Sequence, residues 1–275
     1  MRKKIEKNIT TLSLVFFLLV GLSLLLYPTI SNYWNSLHQS EAVASYSKEV
    51  RNTDELKLQK MFEEAEAYNQ TLEKGTTPDL NLNSEDTSTY NDILDVTRTG
   101  IMGYVEIPEL NTIMPIYHGT DEAVLQIAIG HVPGTSLPVG GKGAHSVISG
   151  HRGLPSAKLF TNINQLDNGD IFFIHVLGET LTYQVDQQLT VLPEDVEVLA
   201  IDPDQDYVTL VTCTPYGVNT HRLLVRGHRI PTKNSIANTS AKKKTNRNWF
   251  IITAVVILIL ILLVITIGLV WHRKN

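Results

Sequence analysis

The chain has 275 residues, a formal net charge of −5 and a single cysteine. This length accommodates one domain of ordinary size with accessory segments, and one cysteine excludes an intramolecular disulfide. The stretch 31–241 carries 13 basic and 27 acidic residues, and so acidic a stretch argues against a nucleic-acid partner.

The N-terminal segment is too apolar for a soluble surface. No charged residue stands between Lys7 and Glu41, and we predict a cytoplasmic tail over 1–8 followed by a transmembrane anchor over 9–30. The basic residues before the apolar run place the N-terminus in the cytoplasm. A cleaved signal peptide is the alternative, but the small-residue pattern at 42–44 lies farther from the apolar core than a cleavage site should.

Helical periodicity follows the anchor, and it predicts a helical stalk over 31–74 that packs against the main domain and stops near Gly75. The polar, turn-rich segment 75–99 is predicted to be an ordered loop or a linker. Six apolar residues of the stalk recur at helical spacing, with charged residues on the other faces: Leu58, Met61, Phe62, Ala65, Tyr68 and Leu72.

Short β-type runs separated by turn residues extend over 100–231. Two short helices are predicted near 121–129 and 157–166, and a hairpin is predicted to turn near Gly178. Many short strands at close spacing, with few helices, are typical of an antiparallel barrel or sandwich.

A polar tether over 232–248 leads to a second apolar run at 249–271. This run has 23 uncharged residues with a tryptophan at each end, and as a helix it spans about 35 Å, enough to cross a bilayer. We therefore predict a second transmembrane helix and a cytoplasmic tail at 272–275. The chain is expected to be a cell-membrane protein with two spans and its folded domain on the extracellular face.

The only cysteine, Cys213, ends one β-type run, and Arg222 begins the next. An antiparallel connection through the eight residues TPYGVNTH would bring the two side chains together. A cation beside a thiol favours the thiolate, and the donors of arginine suit a carbonyl oxygen that becomes negative during acyl transfer. The alternative is a buried cysteine that acts as a small apolar residue.

A cysteine nucleophile also needs an imidazole. His151 is the best candidate, because it follows the apolar strand of SVISGHRG, where a barrel presents functional side chains. His175 stands in mid-strand and is interpreted as a packed residue. No cluster has zinc-like spacing, so neither a metal nor another cofactor is predicted. Five further histidines stay open as candidates: His118, His131, His145, His221 and His228.

Three motifs resemble those of the sortases, specifically the class C or pilin sortases of Gram-positive bacteria: TLVTCTPYGVNTHRLLVRG (209–227), SVISGHRG (146–153) and GIMGYVEIPEL (100–110). The resemblance covers about residues 36–232. It implies a mainly β fold, an eight-stranded β-barrel with short helices, an N-terminal helical stalk and two flanking transmembrane helices.

The resemblance also implies a catalytic triad of Cys213, His151 and Arg222 in a cysteine transpeptidase. Such an enzyme cleaves an LPxTG-like sorting signal through a thioester on the cysteine. It passes the acyl group to a lysine amine of another pilin subunit, which builds covalent pili. His151 would protonate the leaving amine, and Arg222 would hold the substrate carbonyl or the oxyanion. The implied partners are pilin or surface proteins with such signals, the acceptor lysine and the lipid bilayer. No substrate-binding residue is assigned.

Three alternatives are a sortase that anchors surface proteins to the cell wall, a cysteine protease, and a membrane-anchored surface structural protein. The last would need an LPxTG sequence shortly before its second span, where this chain has RIPTKNSIANTS. One departure from class C matters. Many of its members carry an Asp-Pro-aromatic motif in a lid before the barrel, and residues 75–99 contain no such triplet.

Overall fold

The structure, a computed structural model, describes residues 2–80 and 84–232. Most of the predicted tether, and the predicted second transmembrane helix at 249–271, lie outside the described residues.

Two consecutive helices precede the barrel: α1 at Arg2–Asn52 and α2 at Glu55–Thr71. The chain breaks between them at Asp54, whose side chain accepts a hydrogen bond of 3.0 Å from the Leu56 amide and so caps α2. The predicted stalk is thus two helices, and its first part continues the anchor without interruption. Within the described residues, only the α1 stretch Ser13–Asn52 is long and apolar enough to cross a membrane, and its apolar window is not buried.

Helix α2 packs on the barrel through the apolar face predicted from its sequence. Ala65 is fully buried, and four neighbours on the same face are partly buried against the main core: Leu58, Met61, Phe62 and Tyr68. At the end of this face, Asn69 Nδ2 donates to the Leu137 carbonyl at 3.0 Å, and the Leu137 amide donates to Asn69 Oδ1 at 2.7 Å. These paired bonds fix the end of the stalk to the loop before the fourth barrel strand.

The segment 75–99 also lies against the barrel. It contains a third helix, α3 at Ser84–Asp92, and it buries Tyr90 and Leu94 almost completely. Near its start, the Asp79 carbonyl approaches Gly134 so closely that a Cβ at Gly134 would lie 1.8 Å from the oxygen. Only glycine permits this approach, so the contact is built into the sequence.

Eight strands close a barrel in the order β1-β2-β3-β4-β7-β8-β6-β5, as the resemblance implied. The predicted short helices correspond to α4 at Glu122–Leu125 and to a 3₁₀ helix at Leu159–Gln165. Further 3₁₀ helices lie at Pro108–Leu110 and Val196–Leu199. The strands are β1 Ile101–Ile107, β2 Thr112–His118, β3 Ile129–His131, β4 Ala144–Ser149, β5 Ile171–Val176, β6 Glu179–Val191, β7 Asp206–Thr214 and β8 His221–Ile230.

The expectation of a purely antiparallel sheet is wrong. The β5–β6 hairpin turns at the predicted place, but β2 pairs with β3, and β4 with β7, in parallel. Alternation of apolar residues shows where strands lie, whereas strand direction depends on partners distant in sequence. The β4–β7 pair is the one that builds the site.

Alternation along β7 separates the interior of the barrel from a second apolar surface. Val208 and Leu210 point into the main core, whereas Val211 packs in a separate cluster on the other face. Because successive side chains of a strand point to opposite faces, Cys213 shares the face of Val211.

Candidate active site

Strand pairing places Cys213 directly opposite Arg222. The two residues are partners in the antiparallel β7–β8 register, and Thr214 pairs with His221 at the end of the hairpin. Side chains directly opposite each other in such a pair have Cβ atoms about 5 Å apart. The thiol, which is free and half-buried, therefore lies beside the base of the arginine side chain, as the short connection predicted.

The parallel pairing of β4 with β7 continues past the last strand residue of β4. Ser149 pairs with Val211. One residue further, the Gly150 amide donates to the Val211 carbonyl at 3.0 Å, and Thr212 Oγ1 donates to the Gly150 carbonyl at 2.7 Å. The register thus persists into the loop.

The next contact in this register lies beyond His151. Arg152 Nη1 donates to Thr214 Oγ1 at 2.8 Å, and these two residues are 62 positions apart, as are Gly150 and Thr212. Because the offset of 62 positions holds on both sides of His151, His151 is aligned with Cys213 across the two neighbouring segments. The structure therefore aligns the three candidate residues: His151 in the loop after β4, Cys213 on β7 and Arg222 on β8.

Local packing holds the His151 backbone and leaves its imidazole available. A Cβ at Gly150 would lie 2.8 Å from side-chain atoms of both Ile129 and Phe160, so only glycine fits before the histidine. The Phe160 amide donates to the His151 carbonyl at 3.2 Å. His151 Nε2 is buried without a hydrogen-bond partner among the described residues, and Glu122 Oε2 lies 3.7 Å away. The His151 side chain as a whole is 29% exposed, so part of the ring is open to solvent.

The Arg222 guanidinium also lacks a charged partner. Its Nη1 donates long hydrogen bonds of 3.3 Å and 3.2 Å to the carbonyls of Asn219 and His221. Among the side chains of residues 13–80 and 87–232, no carboxylate lies within ion-pair distance of it. Its positive charge and its other donors are therefore available to a ligand beside the thiol.

An apolar strip leads to the thiol along the outer face of the barrel. We define it by two buried residues, Val147 and Leu224, and three half-buried ones: Leu189, Val191 and Val211. Leu199, in the β6–β7 connection, packs on the strip. Exposed apolar side chains border it, Leu192 in the same connection and Tyr216 and Val218 in the β7–β8 connection. An extended peptide with an apolar residue could lie on this surface with its carbonyl at Cys213.

The remaining histidines have structural contacts. His131 is completely buried, and burial lowers its pKa to about 4, so it is neutral at physiological pH. Its Nδ1 lies 2.9 Å from the Tyr90 hydroxyl and its Nε2 lies 2.8 Å from the Ser136 carbonyl. The others are held elsewhere: His118 between two carbonyls, His145 against Thr209, His175 stacked on Tyr104 and beside Glu106, His221 against Thr220, and His228 near Asp186.

Two residues of the site were missed from the sequence. Arg152 is next to His151 in the chain and could have been suspected from that adjacency. Its Nε is buried without a partner in the part of the chain that the structure describes. No sequence pattern pointed to Glu122, because it lies on α4, in the connection between β2 and β3, and approaches His151 only in the folded chain.

Comparison with known proteins agrees with this geometry. The sortase domain family matches residues 105–230. The crystal structure of sortase C1 from Streptococcus agalactiae is 48% identical, with a TM-score of 0.67 over 70% of this chain and 99% of that chain.

The chain belongs to the sortase family.

Sortases are cysteine transpeptidases. The structural neighbours of this sortase include several class C members, together with a sortase A from Corynebacterium diphtheriae that is 41% identical, with a TM-score of 0.63 over 67% of this chain and 100% of that chain. Sortase C of Streptococcus pneumoniae is 43% identical, with a TM-score of 0.62 over 70% of this chain and 97% of that chain. Sortase D of Bacillus subtilis is 27% identical over 131 residues, which are 46% of this chain and 63% of that protein. The matched part of the chain spans about three fifths of the length of two curated sortases and less than half of the length of two others. Membership in this family argues against the surface structural protein.

Proposed function

We propose that this sortase is a cysteine transpeptidase that joins a protein carrying an LPxTG-like sorting signal to a lysine amine of a pilin subunit. The proposal rests on the alignment of three residues. Cys213 pairs with Arg222 in the β7–β8 register, and the offset between β4 and β7 aligns His151 with Cys213. This arrangement provides a nucleophile, an acid–base group and a cation at one point of the barrel surface.

In the first half-reaction, the Cys213 thiolate attacks the threonine carbonyl carbon of the sorting signal. Arg222 faces the carbonyl oxygen and stabilises the negative charge that develops on it. The bond between threonine and glycine then breaks, and His151 gives its proton to the departing glycine amine. The acyl group remains on sulfur as a thioester.

In the second half-reaction, a lysine amine attacks the thioester carbon. His151 takes the proton from the attacking nitrogen, the carbon–sulfur bond breaks, and Cys213 returns as a thiolate. An isopeptide bond joins the two proteins. The acceptor must outcompete water at the thioester, so the partly covered position of Cys213 beside the apolar strip favours transfer over hydrolysis.

Two of the similar structures favour a lysine of a pilin subunit, rather than an amine of the cell wall, as the acceptor. The structure of Streptococcus pneumoniae sortase C was described in terms of pilin substrate specificity, and a sortase C1 of a streptococcal pilus island is 38% identical to this chain. The apolar exposed face of α1 supports anchorage in the cell membrane with the barrel on the extracellular side. We keep the second span at 249–271 as part of this proposal.

Mass spectrometry of the purified full chain with an LPxTG peptide and a lysine-bearing pilin fragment tests the function, with Cys213→Ala as the matched control. We expect an acyl adduct on Cys213 that converts to an amide-linked product. An adduct that only hydrolyses would contradict the transpeptidase proposal. A product with a cell-wall amine and none with the pilin lysine would favour wall anchoring.

A further inference from the structure

Helix α1 connects the apolar N-terminal segment to the barrel as one continuous helix. It runs as one helix from Arg2 to Asn52, with Pro28 inside it. Its apolar residues at 13–30 are mostly exposed, whereas Tyr46, further along, is buried and donates to the Met102 carbonyl at 3.0 Å. A continuous helix transmits the orientation of its apolar part to the domain packed on its other part.

Two hydrogen bonds attach this helix to the loop that begins at His151. Asn35 Nδ2 donates to the Ser156 carbonyl at 2.7 Å, and the Lys158 amide donates to Asn32 Oδ1 at 2.8 Å. Asn32 and Asn35 are three residues apart and therefore share one face of the helix. The loop that follows His151 is thus hydrogen-bonded to α1 at Asn32 and Asn35, just beyond the predicted anchor at 9–30.

Aromatic side chains mark the same turn. Tyr33 is 61% exposed and Trp34 is 63% exposed, so neither is used to pack the helix on the barrel. Tyrosine and tryptophan are enriched at the level of lipid headgroups, where an apolar ring body and a polar tip are both satisfied. These two residues place the membrane boundary beside Asn32 and Asn35.

The opposite side of the barrel is far from this boundary. Val50 of α1 approaches Gly178, at the tip of the β5–β6 hairpin, with its Cγ1 3.6 Å from the position of a Cβ. Asn32 and Val50 are separated along the helix axis by about 27 Å. The barrel therefore has a near side, at Ser156 and Lys158, and a far side, at Gly178.

We propose that the loop 154–158 rests against the headgroup layer of the bilayer that anchors α1. Lys158 is exposed on this loop, so a probe at this position reports the contact of the loop with the headgroups. The proposal rests on the membrane anchorage in the proposed function.

Fluorescence quenching in vesicles tests the proposal. The full chain carries Cys213→Ala, which removes its only cysteine, together with either Lys158→Cys or Glu179→Cys. Both introduced sites are exposed, so they form a matched pair for labelling with an environment-sensitive fluorophore. Phosphatidylcholine and phosphatidylglycerol vesicles carry a quencher near the lipid headgroup. We expect quenching at position 158 to exceed that at position 179 several-fold.

The outcomes separate this inference from the proposed function, since the labelled chain lacks the nucleophile and its readout is independent of catalysis. Equal quenching at the two positions, in a chain that floats with the vesicles, would overturn the docking and leave the transpeptidase proposal intact. A chain that does not float would overturn the anchorage and the docking together. Adding Asn32→Ala and Asn35→Ala should reduce quenching at position 158 at least two-fold, and unchanged quenching would show that these bonds do not hold the loop to the membrane.

Discussion

Arg152 donates a 2.8 Å hydrogen bond to Thr214, which ties the residue after the candidate base to the residue after the candidate nucleophile. The bond spans two segments that are 62 residues apart. It acts at the point where the β4–β7 pairing ends, and it fixes the separation of His151 and Cys213.

Loss of this bond should slow the reaction more than it destabilises the fold. Thr214→Val removes the acceptor and keeps the β-branched shape. A hydrogen bond to a charged group contributes about 1.5–3 kcal/mol, so we expect kcat/KM for an LPxTG peptide to fall about 10- to 100-fold. Thr214→Ser retains the oxygen and serves as the control. Equal rates for the valine and serine variants would show that the bond does not position the site.

Glu122 should assist His151 through its charge. Its carboxylate lies 3.7 Å from His151 Nε2 and is 70% exposed, so solvent screens the interaction and the effect is modest. We expect Glu122→Gln to lower kcat/KM about two- to five-fold at low ionic strength and less in high salt. Glu73→Gln, at an exposed position on the stalk, is the control. A deficit that is the same at every salt concentration would argue against a charge effect.

Stability should decrease in mild acid because of His131. Burial lowers its folded-state pKa from 6.5 to about 4, so the unfolded chain binds the proton first as pH falls. The free energy of unfolding is then highest above pH 6.5 and declines toward pH 4, by about 3 kcal/mol from this residue. Burial also lowers the pKa of His145, which adds to the trend.

Thermal unfolding of the full chain in detergent, followed by circular dichroism between pH 4 and 8, measures this effect. His131→Gln keeps a donor for the Ser136 carbonyl and cannot titrate. We expect it to lower Tm at pH 7.5 and to flatten the dependence of Tm on pH. Curves for the two proteins that run parallel would assign the acid sensitivity to other groups.

The segment 75–99 should open more readily when Tyr90 loses its hydroxyl. That oxygen lies 2.9 Å from His131 Nδ1 and accepts from the Gly119 amide at 3.0 Å. Tyr90→Phe leaves both groups buried without this partner, which costs about 1–3 kcal/mol. We expect limited proteolysis within 75–99 to accelerate about 5- to 100-fold, with Tyr33→Phe as the control. If LPxTG peptide leaves the cleavage rate of the wild type unchanged, the segment is not a substrate-regulated lid.

Sequence reasoning succeeded where the relevant contacts are local. The Cys213–Arg222 pairing follows from one short hairpin, and the buried face of α2 follows from the helical repeat at Leu58, Met61 and Ala65. His151 was preferred from its position after an apolar strand, and its motif resembled a known family. Neither argument included the β4–β7 register, which aligns His151 with the Cys213 thiol.

The contacts that escaped prediction are all between distant segments. The parallel direction of β4 and β7 depends on crossovers rather than on residue alternation. Asn35 meets Ser156 across 121 positions, and Tyr90 meets His131 across 41. Single polar side chains in such contacts carry no periodic signal, so the sequence of either partner alone does not reveal them.

The separation of the two pairings also has a consequence for the order in which the site forms during folding. Cys213 and Arg222 come together as soon as the β7–β8 hairpin forms, because only a short loop must close. His151 joins them only when β4 docks beside β7, after a much longer loop has closed at greater entropic cost. A chain that is still folding therefore has a thiol and a cation but no acid–base partner. Assembly of the proposed catalytic residues is therefore coupled to closure of the barrel.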